Sequence, residues 1–483
     1  MGAASTSETN PRRRLLAIIA AAFVLRLVLL VPAHDVRPLR DSLDYILIAT
    51  SLAERGEYGP WGRAPGYPLL LAGTFRMTEG LGLPIRPSRR ASGDEITALD
   101  VARFVQVLAS TLSVWLAFAL GRRLYDARAG MVAAALMAFY PNFVGYSHLL
   151  WTETFYITLT LAWALLLHRG VVDGRRAALV GAGLCLGYAA LIREIGLPTI
   201  GVAVLWTWLV ARSPWRRTLA QTAVVVVMAA LVILPWAIRN YRVHGELVLS
   251  ASTRGLALLW GATDDILGEI RQLRKAEGGK RFQPVFSPEM DARAGARARE
   301  IIAADPAAWR HRIWTVNLPG LWHPGYDGVI SHLTLRFGYD FRAPWIAPTG
   351  IVLVVGSYLL LGTLAAIGLA LSRSREAVWL VLGLALLYSA THAIAGGLPR
   401  HRLPVMALAT LPAGYLLSRR RLELASVLSA ARVVVALLGV ALFLSTVDRN
   451  DDQFLEKAWE RAQAGPPEQP PRRVSPARRG PGN

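Results

Sequence analysis

The chain has 483 residues, of which 53% are hydrophobic and only 18% charged, against roughly 25% charged in an ordinary soluble domain. A net charge of +20 would fit a nucleic-acid partner, but the basic residues stand mainly at the ends of long apolar blocks. That placement excludes nucleic acid and points to membrane topology and anionic lipid contacts. The single cysteine, Cys185, lies inside such a block, which excludes an intrachain disulfide and a cysteine-rich metal site.

The first block runs from about Leu15 to Ala33, after Arg12, Arg13 and Arg14. Arg26 interrupts it and Pro32 spoils its small-residue end, so it reads as an uncleaved helix rather than a signal peptide. Further blocks cover roughly 99–120, 129–147, 153–168, 176–193, 196–211 and 218–238. After a polar gap come about 349–371, 377–395, 403–417 and 425–446. A helical crossing takes roughly 20 residues, and backbone groups in lipid must be bonded internally. The fold class is therefore an all-α integral membrane bundle of about eleven transmembrane helices.

Every second connection is rich in arginine: Gly121–Arg128, His168–Arg176, Ala211–Arg217, Ser372–Glu376 and Ser418–Glu423. The N-terminal segment is basic as well, so the positive-inside rule places all of these in the cytoplasm. Two long loops, about 34–98 and 239–348, then fall on the outer face. We read residues 1–446 as one transmembrane module and 447–483, rich in Pro and Arg, as a disordered tail.

In the first outer loop, Ile46, Leu47, Ala49 and Leu52 follow Asp41-Ser42-Leu43-Asp44-Tyr45 at helical spacing. This predicts a short amphipathic helix lying on the membrane and capped at Gly56. Asp41 and Ser42 are also candidate N-caps. Arg63-Ala64-Pro65-Gly66-Tyr67-Pro68 then predicts a rigid turn into a second such helix. In the second outer loop, Ser287-Pro288-Glu289 and Asp305-Pro306 each start a helix, and Trp309 and Trp314 suit headgroup depth.

The stretch RDSLDYILIATSLAERGEYGPWGRAPGYPLLLA resembles the first loop of polytopic glycosyltransferases that use polyprenyl-phosphate sugars. That group includes bacterial relatives of the protein O-mannosyltransferases and the aminoarabinose lipid A transferases. Asp41, Tyr45, Gly56 and Pro65–Pro68 match its pattern in order. Thr152-Glu153 resembles the family's Thr-Glu start of the fourth helix, and Ile192-Arg193-Glu194 its Thr-Arg-Pro-Glu turn, with Glu194 in place of proline. Arg239-Asn240-Tyr241 and Ser250–Gly261 also have counterparts, although Arg254-Gly255-Leu256-Ala257 stands where Gly-Gly-x-Asn is usual. Arg400-His401-Arg402-Leu403-Pro404 resembles an Arg-Tyr-Arg-x-Pro motif.

The resemblance covers roughly residues 15–420 and implies the C-type glycosyltransferase fold, with an active site at the outer face of the inner or plasma membrane. It implies transfer of a sugar from a polyprenyl-phosphate donor to a hydroxyl of a glycan, lipid or protein. Such a reaction needs a base for the acceptor hydroxyl and cationic donors for the leaving phosphate. Arginine suits the phosphate because its planar fork makes paired bonds. The candidates are Asp41 as base and Glu153 as a further catalytic carboxylate that orders the acceptor or a metal. Asp44, Tyr45, Arg193, Arg254, Arg400 and Arg402 are the substrate-binding candidates. Asp44 is the alternative base, and Arg239 and Arg242 are further arginines to consider. The resemblance leaves a divalent cation open; His244, His323, His392 and His401 have no recognisable ligand spacing. A flippase or transporter and a ligase or polymerase for lipid-linked glycans are the alternative readings.

Overall fold

A computed structural model describes residues 10–33, 41–59, 62–85, 96–276, 287–324 and 346–419. All regular structure among these residues is helical. Among the described residues, six helices are long and apolar enough to cross a bilayer. They are α1 (Pro11–Ala33), α4 (Ala98–Leu124), α7 (Glu153–Val172), α10 (Trp215–His244), α16 (Ile346–Ala370) and α17 (Arg375–Ala395). Shorter apolar helices occupy four further expected blocks: α5 (Ala127–Phe139), α8 (Arg176–Ile192), α9 (Gly196–Val210) and α18 (Leu403–Ser418). The last expected span, 425–446, and the tail 447–483 lie outside the described residues. Exposed Val28, Leu231 and Leu353 make the flanks of α1, α10 and α16 apolar to their surroundings, as a lipid-facing surface requires. The chain is a multi-pass membrane protein.

The bundle centres on α18, whose residues from Leu403 to Gly414 are all buried. In lipid, helices associate through close packing rather than through the hydrophobic effect, so small residues mark the tightest contacts. Gly183 and Gly187 of α8 sit against the backbone of α10. A Cβ on Gly183 would lie 2.5 Å from the Val225 carbonyl oxygen, and one on Gly187 2.6 Å from that of Ala229. Helix starts use ordinary caps. The Asp126 carboxylate accepts from the N–H groups of Arg128 and Ala129 at the start of α5. The Ser374 hydroxyl accepts from that of Ala377 at the start of α17.

One expected span, 129–147, is broken. Helix α5 ends at Phe139 and a short α6 (Pro141–Tyr146) follows. Pro141 has no N–H to donate to Met137, and it holds Tyr140 in an extended conformation. The apolar run continues through the break, so hydropathy alone does not reveal it. The freed carbonyls are met by Arg26 of α1. Its guanidinium donates to Met137 O at 3.2 Å, Ala138 O at 2.9 Å, Ala22 O at 3.0 Å and Ser110 Oγ at 2.8 Å. A charge in the middle of the first apolar block is thus fully buried and faces the bundle. Arg26→Leu is expected to destabilise the protein by about 3 kcal/mol, because it leaves buried carbonyls without donors. Unfolding in bicelles, followed by steric trapping, measures it; an unchanged stability would contradict this role.

The arginine-rich connections among the described residues meet at one end of the bundle. There Arg123 pairs with Asp173 at 2.6 Å, and His168 Nε2 lies 2.9 Å from Glu376 Oε2. Tyr125 stacks on Tyr415 with ring centroids 4.5 Å apart. The opposite end carries α2 (Asp41–Arg55), α3 (Gly66–Glu79) and the helices of the second long loop. In that loop, α11 (Arg254–Ala262) packs on α13 (Pro288–Ala304), with α12 (Ile266–Ala276) alongside. The chain then runs through α14 (Pro306–Arg312) and, after a π-helical stretch, α15 (Leu318–Trp322). Ser287 and Asp305 cap α13 and α14 as the sequence predicts.

Candidate active site

Asp41, Asp44 and Tyr45 lie one helical turn apart on α2 and share a face. The turn before α3 closes over that face. Tyr188 Oη donates to the Gly66 carbonyl at 2.9 Å. The α-carbon of Gly66 packs so closely on α8 that an added Cβ would sit 2.9 Å from the Leu191 carbonyl oxygen. Tyr67 Oη donates to Gln106 Oε1 at 2.9 Å, and its ring meets Tyr45 edge-on at 5.1 Å. The turn is therefore pinned to α4 and α8, and it delivers Arg63 to the acidic face of α2. Arg63 Nη2 donates to Asp41 Oδ1 at 2.8 Å and to Asp44 Oδ2 at 2.7 Å. Its Nε reaches the same Asp44 oxygen at 3.2 Å.

A second arginine approaches Asp41 from across the bundle. The 3-10 turn Pro399–Arg402 leads into α18 and presents Arg400, whose Nη2 donates to Asp41 Oδ2 at 2.7 Å. The Arg400 guanidinium lies over the Trp151 ring at 4.7 Å. Its Nε is 3.9 Å from Glu153 Oε1, too far for a hydrogen bond. Glu153, the first residue of α7, is 2% exposed and accepts from Arg193 Nη1 at 2.8 Å. Arg193 ends α8 in an extended conformation and also donates to Thr152 Oγ1 at 3.2 Å.

These six side chains form one line of alternating charge: Asp44, Arg63, Asp41, Arg400, Glu153, Arg193. Burial alone would raise the Asp41 carboxyl, but the Arg400 and Arg63 guanidiniums outweigh it and hold it well below the usual carboxylate range. The Asp41 side chain keeps 21% of its surface exposed. Among the described residues its oxygens accept from the two arginines and from no backbone N–H, so the expected N-cap interaction is not among its contacts. The carboxylates are each ion-paired and do not converge on a common point. Among the described residues no group of His, Cys, Asp or Glu is placed to hold a metal.

The structure thus brings together Asp41, Asp44, Tyr45, Glu153, Arg193 and Arg400. It places the other two candidates elsewhere. Arg402 is 1% exposed, donates to the carbonyls of Leu321 and His323 at 3.0 and 2.6 Å, and lies over the Tyr358 ring. It clamps the end of the second long loop to α16 and α18. Arg254 is 64% exposed and pairs with Glu194 at 2.6 Å on the far side of the α8–α9 turn. Of the further arginines, Arg239 donates to the Gly59 carbonyl at 3.0 Å over Tyr58 and Trp236, while Arg242 is exposed at the end of α10. Arg63 was not among the sequence candidates. The signal for it was available: two carboxylates one turn apart on a half-buried face call for a cation, and Arg63 opens the turn that closes over that face.

Residues 96–238 match the family described as dolichyl-phosphate-mannose-protein mannosyltransferase. This segment holds Glu153 and Arg193. The apo oligosaccharyltransferase of Archaeoglobus fulgidus superposes over 96% of this chain and 57% of its own, with a TM-score of 0.51 and 13% identity. The chain has the fold of the C-type membrane glycosyltransferases. The family resemblance read from the sequence therefore holds in its matched segment and in its fold. Among curated proteins, the undecaprenyl phosphate-alpha-4-amino-4-deoxy-L-arabinose arabinosyl transferase of Pseudomonas aeruginosa is 34% identical over 143 residues, 28% of this chain and 26% of that protein. A second arabinosyl transferase of this kind, from Pseudomonas fluorescens, is 30% identical over 153 residues, 30% of this chain and 27% of its own. The alignments span about a quarter of the length of these relatives.

Proposed function

We propose that the chain is a glycosyltransferase that moves a sugar from a polyprenyl-phosphate donor to a hydroxyl of a glycan, lipid or protein. The observation that carries this reading is a partly exposed carboxylate, Asp41, flanked by arginines at the end of a membrane bundle that has a C-type glycosyltransferase fold. The undecaprenyl-phosphate-linked sugar for which the arabinosyl transferase relatives are named supports a lipid-phosphate donor. The arginine-rich connections gather at the other end of the bundle, and the positive-inside rule puts that end, with the N-terminus, in the cytoplasm. The site then faces outward from the inner or plasma membrane.

In this reading Asp41 takes the proton of the acceptor hydroxyl, and the acceptor oxygen attacks the anomeric carbon. The bond from that carbon to the phosphate oxygen breaks, and polyprenyl phosphate leaves. Arg400 faces the charge that grows on the departing phosphate, where a fixed cation lowers the barrier most. Arg193 holds Glu153, whose role in this reading is to order the acceptor. One displacement inverts the anomeric centre. A flippase would instead place its substrate site near the midplane, where the charge this chain carries, Arg26, is taken up by the carbonyls of the α5–α6 break. Here the charged line sits at helix ends and in the loops between them, which favours chemistry at one surface.

Membranes containing the protein are expected to transfer label from at least one member of a panel of undecaprenyl- and decaprenyl-phosphate sugars to an acceptor in host membrane extract. No transfer above control membranes across the panel would overturn the reading.

A further inference from the structure

We propose that the donor's phosphate switches on Asp41 by taking Arg400 away from it, while Arg63 stays in place as the positioning residue. This deepens the transferase reading and rests on it.

The argument begins with charge. Asp41, Asp44 and Glu153 match Arg63, Arg193 and Arg400 one for one, and each arginine already serves a carboxylate. An arriving phosphate adds negative charge to a line that is already balanced. To gain a bidentate contact it must draw an arginine from its present partner. The three arginines are not equally held. Arg63 makes three bonds to two carboxylates and lies over Tyr45. Arg193 bonds both Glu153 and Thr152, and its loss would strand a nearly fully buried carboxylate. Arg400 makes one hydrogen bond among the described residues, to Asp41. Its Nε is buried with no hydrogen-bond partner among those residues and faces Glu153 Oε1 only at ion-pair distance, 3.9 Å. Arg400 therefore has an unused edge of its fork and the least to give up. The face of Trp151 supports the guanidinium as it turns.

The exchange has a chemical consequence. With both arginines attached, each Asp41 oxygen accepts from a guanidinium, and the carboxylate is a weak base. When Arg400 turns to phosphate, Oδ2 is left free to meet the acceptor hydroxyl, while Arg63 still fixes Oδ1. The base thus becomes competent only when donor is present. Asp44 and Glu153, the other anions near Asp41, add to its basicity once Arg400 is neutralised by phosphate.

The test uses the full chain in liposomes with aspartate labelled at the carboxyl carbon. The Asp41 resonance is assigned by its loss in Asp41→Asn. Its titration is followed with and without undecaprenyl phosphate, whose binding is read in the same sample by phosphorus NMR. The Asp41 midpoint is expected to rise by about 1–3 pH units on binding, the effect of losing one adjacent arginine. In Arg400→Gln the midpoint starts high and no longer responds to lipid. In Arg63→Gln it starts high and still responds. A midpoint unmoved by bound lipid, or a response that survives in Arg400→Gln, overturns the exchange and leaves the transferase reading intact. Failure of undecaprenyl phosphate to bind at all overturns the donor reading and the exchange with it.

Discussion

Arg193→Met is expected to destabilise the protein by about 3–5 kcal/mol, because it leaves the Glu153 carboxylate buried without its partner. Glu153 is 2% exposed and its carboxylate lies 2.8 Å from Arg193. The double variant Arg193→Met with Glu153→Gln removes both charges together. It should regain most of the lost stability, since replacing a whole buried ion pair is often close to neutral. Equilibrium unfolding of the single and double variants checks this. If the single variant unfolds like the wild type, the pair does not hold α7 to the end of α8. Activity separates the two roles further: the double variant is expected to remain inactive although folded, because the pair also lines the proposed site.

Asp41→Asn is expected to lower sugar transfer by about 100- to 10,000-fold, the range a positioned general base contributes. Asparagine keeps the size of the side chain and one oxygen for an arginine, so the fold should survive. Asp41 also sets the acid limb of the pH profile. Its carboxyl is held low in the folded protein, so the free enzyme keeps it ionised well into acid. The stability it confers is present above the pKa of an unfolded aspartate and is lost as pH falls through the depressed value. In kcat, measured with donor bound, the acid limb should lie higher than in kcat/KM, because the donor-bound base has lost Arg400. Asp41→Asn at full activity would move the base to Asp44 or Glu153.

Much of the bundle was legible because lipid imposes a simple rule. Apolar blocks of spanning length must be helices, and arginine between them marks one end. The break at Pro141 was hidden because Tyr140, Phe143 and Val144 keep the run apolar across it. The meaning of Arg26 was hidden with it, since its partners are the carbonyls that this break releases. At the site, the acidic face of α2 was readable from its spacing and Arg193 and Arg400 from their motifs, but which cation meets which carboxylate was not. Arg63, Arg193 and Arg400 are far apart in sequence, and only the packing of α3, α8 and α18 joins them. Arg400 and Arg402 show the limit of motif reading. Two residues apart on a 3-10 turn, they point about 120° apart. One meets Asp41, and the other turns inward to the carbonyls of Leu321 and His323.

The most direct test of the central claim uses a polyprenyl-phosphate sugar labelled with tritium in the sugar and phosphorus-32 in the phosphate, added to sealed vesicles with acceptor. The account predicts that tritium moves to the acceptor while phosphorus-32 stays behind as polyprenyl phosphate, and that Asp41→Asn abolishes this separation. If instead both labels cross the membrane together on an intact lipid, with the same rate in Asp41→Asn, the protein moves lipid-linked sugar rather than transferring it, and the account is wrong.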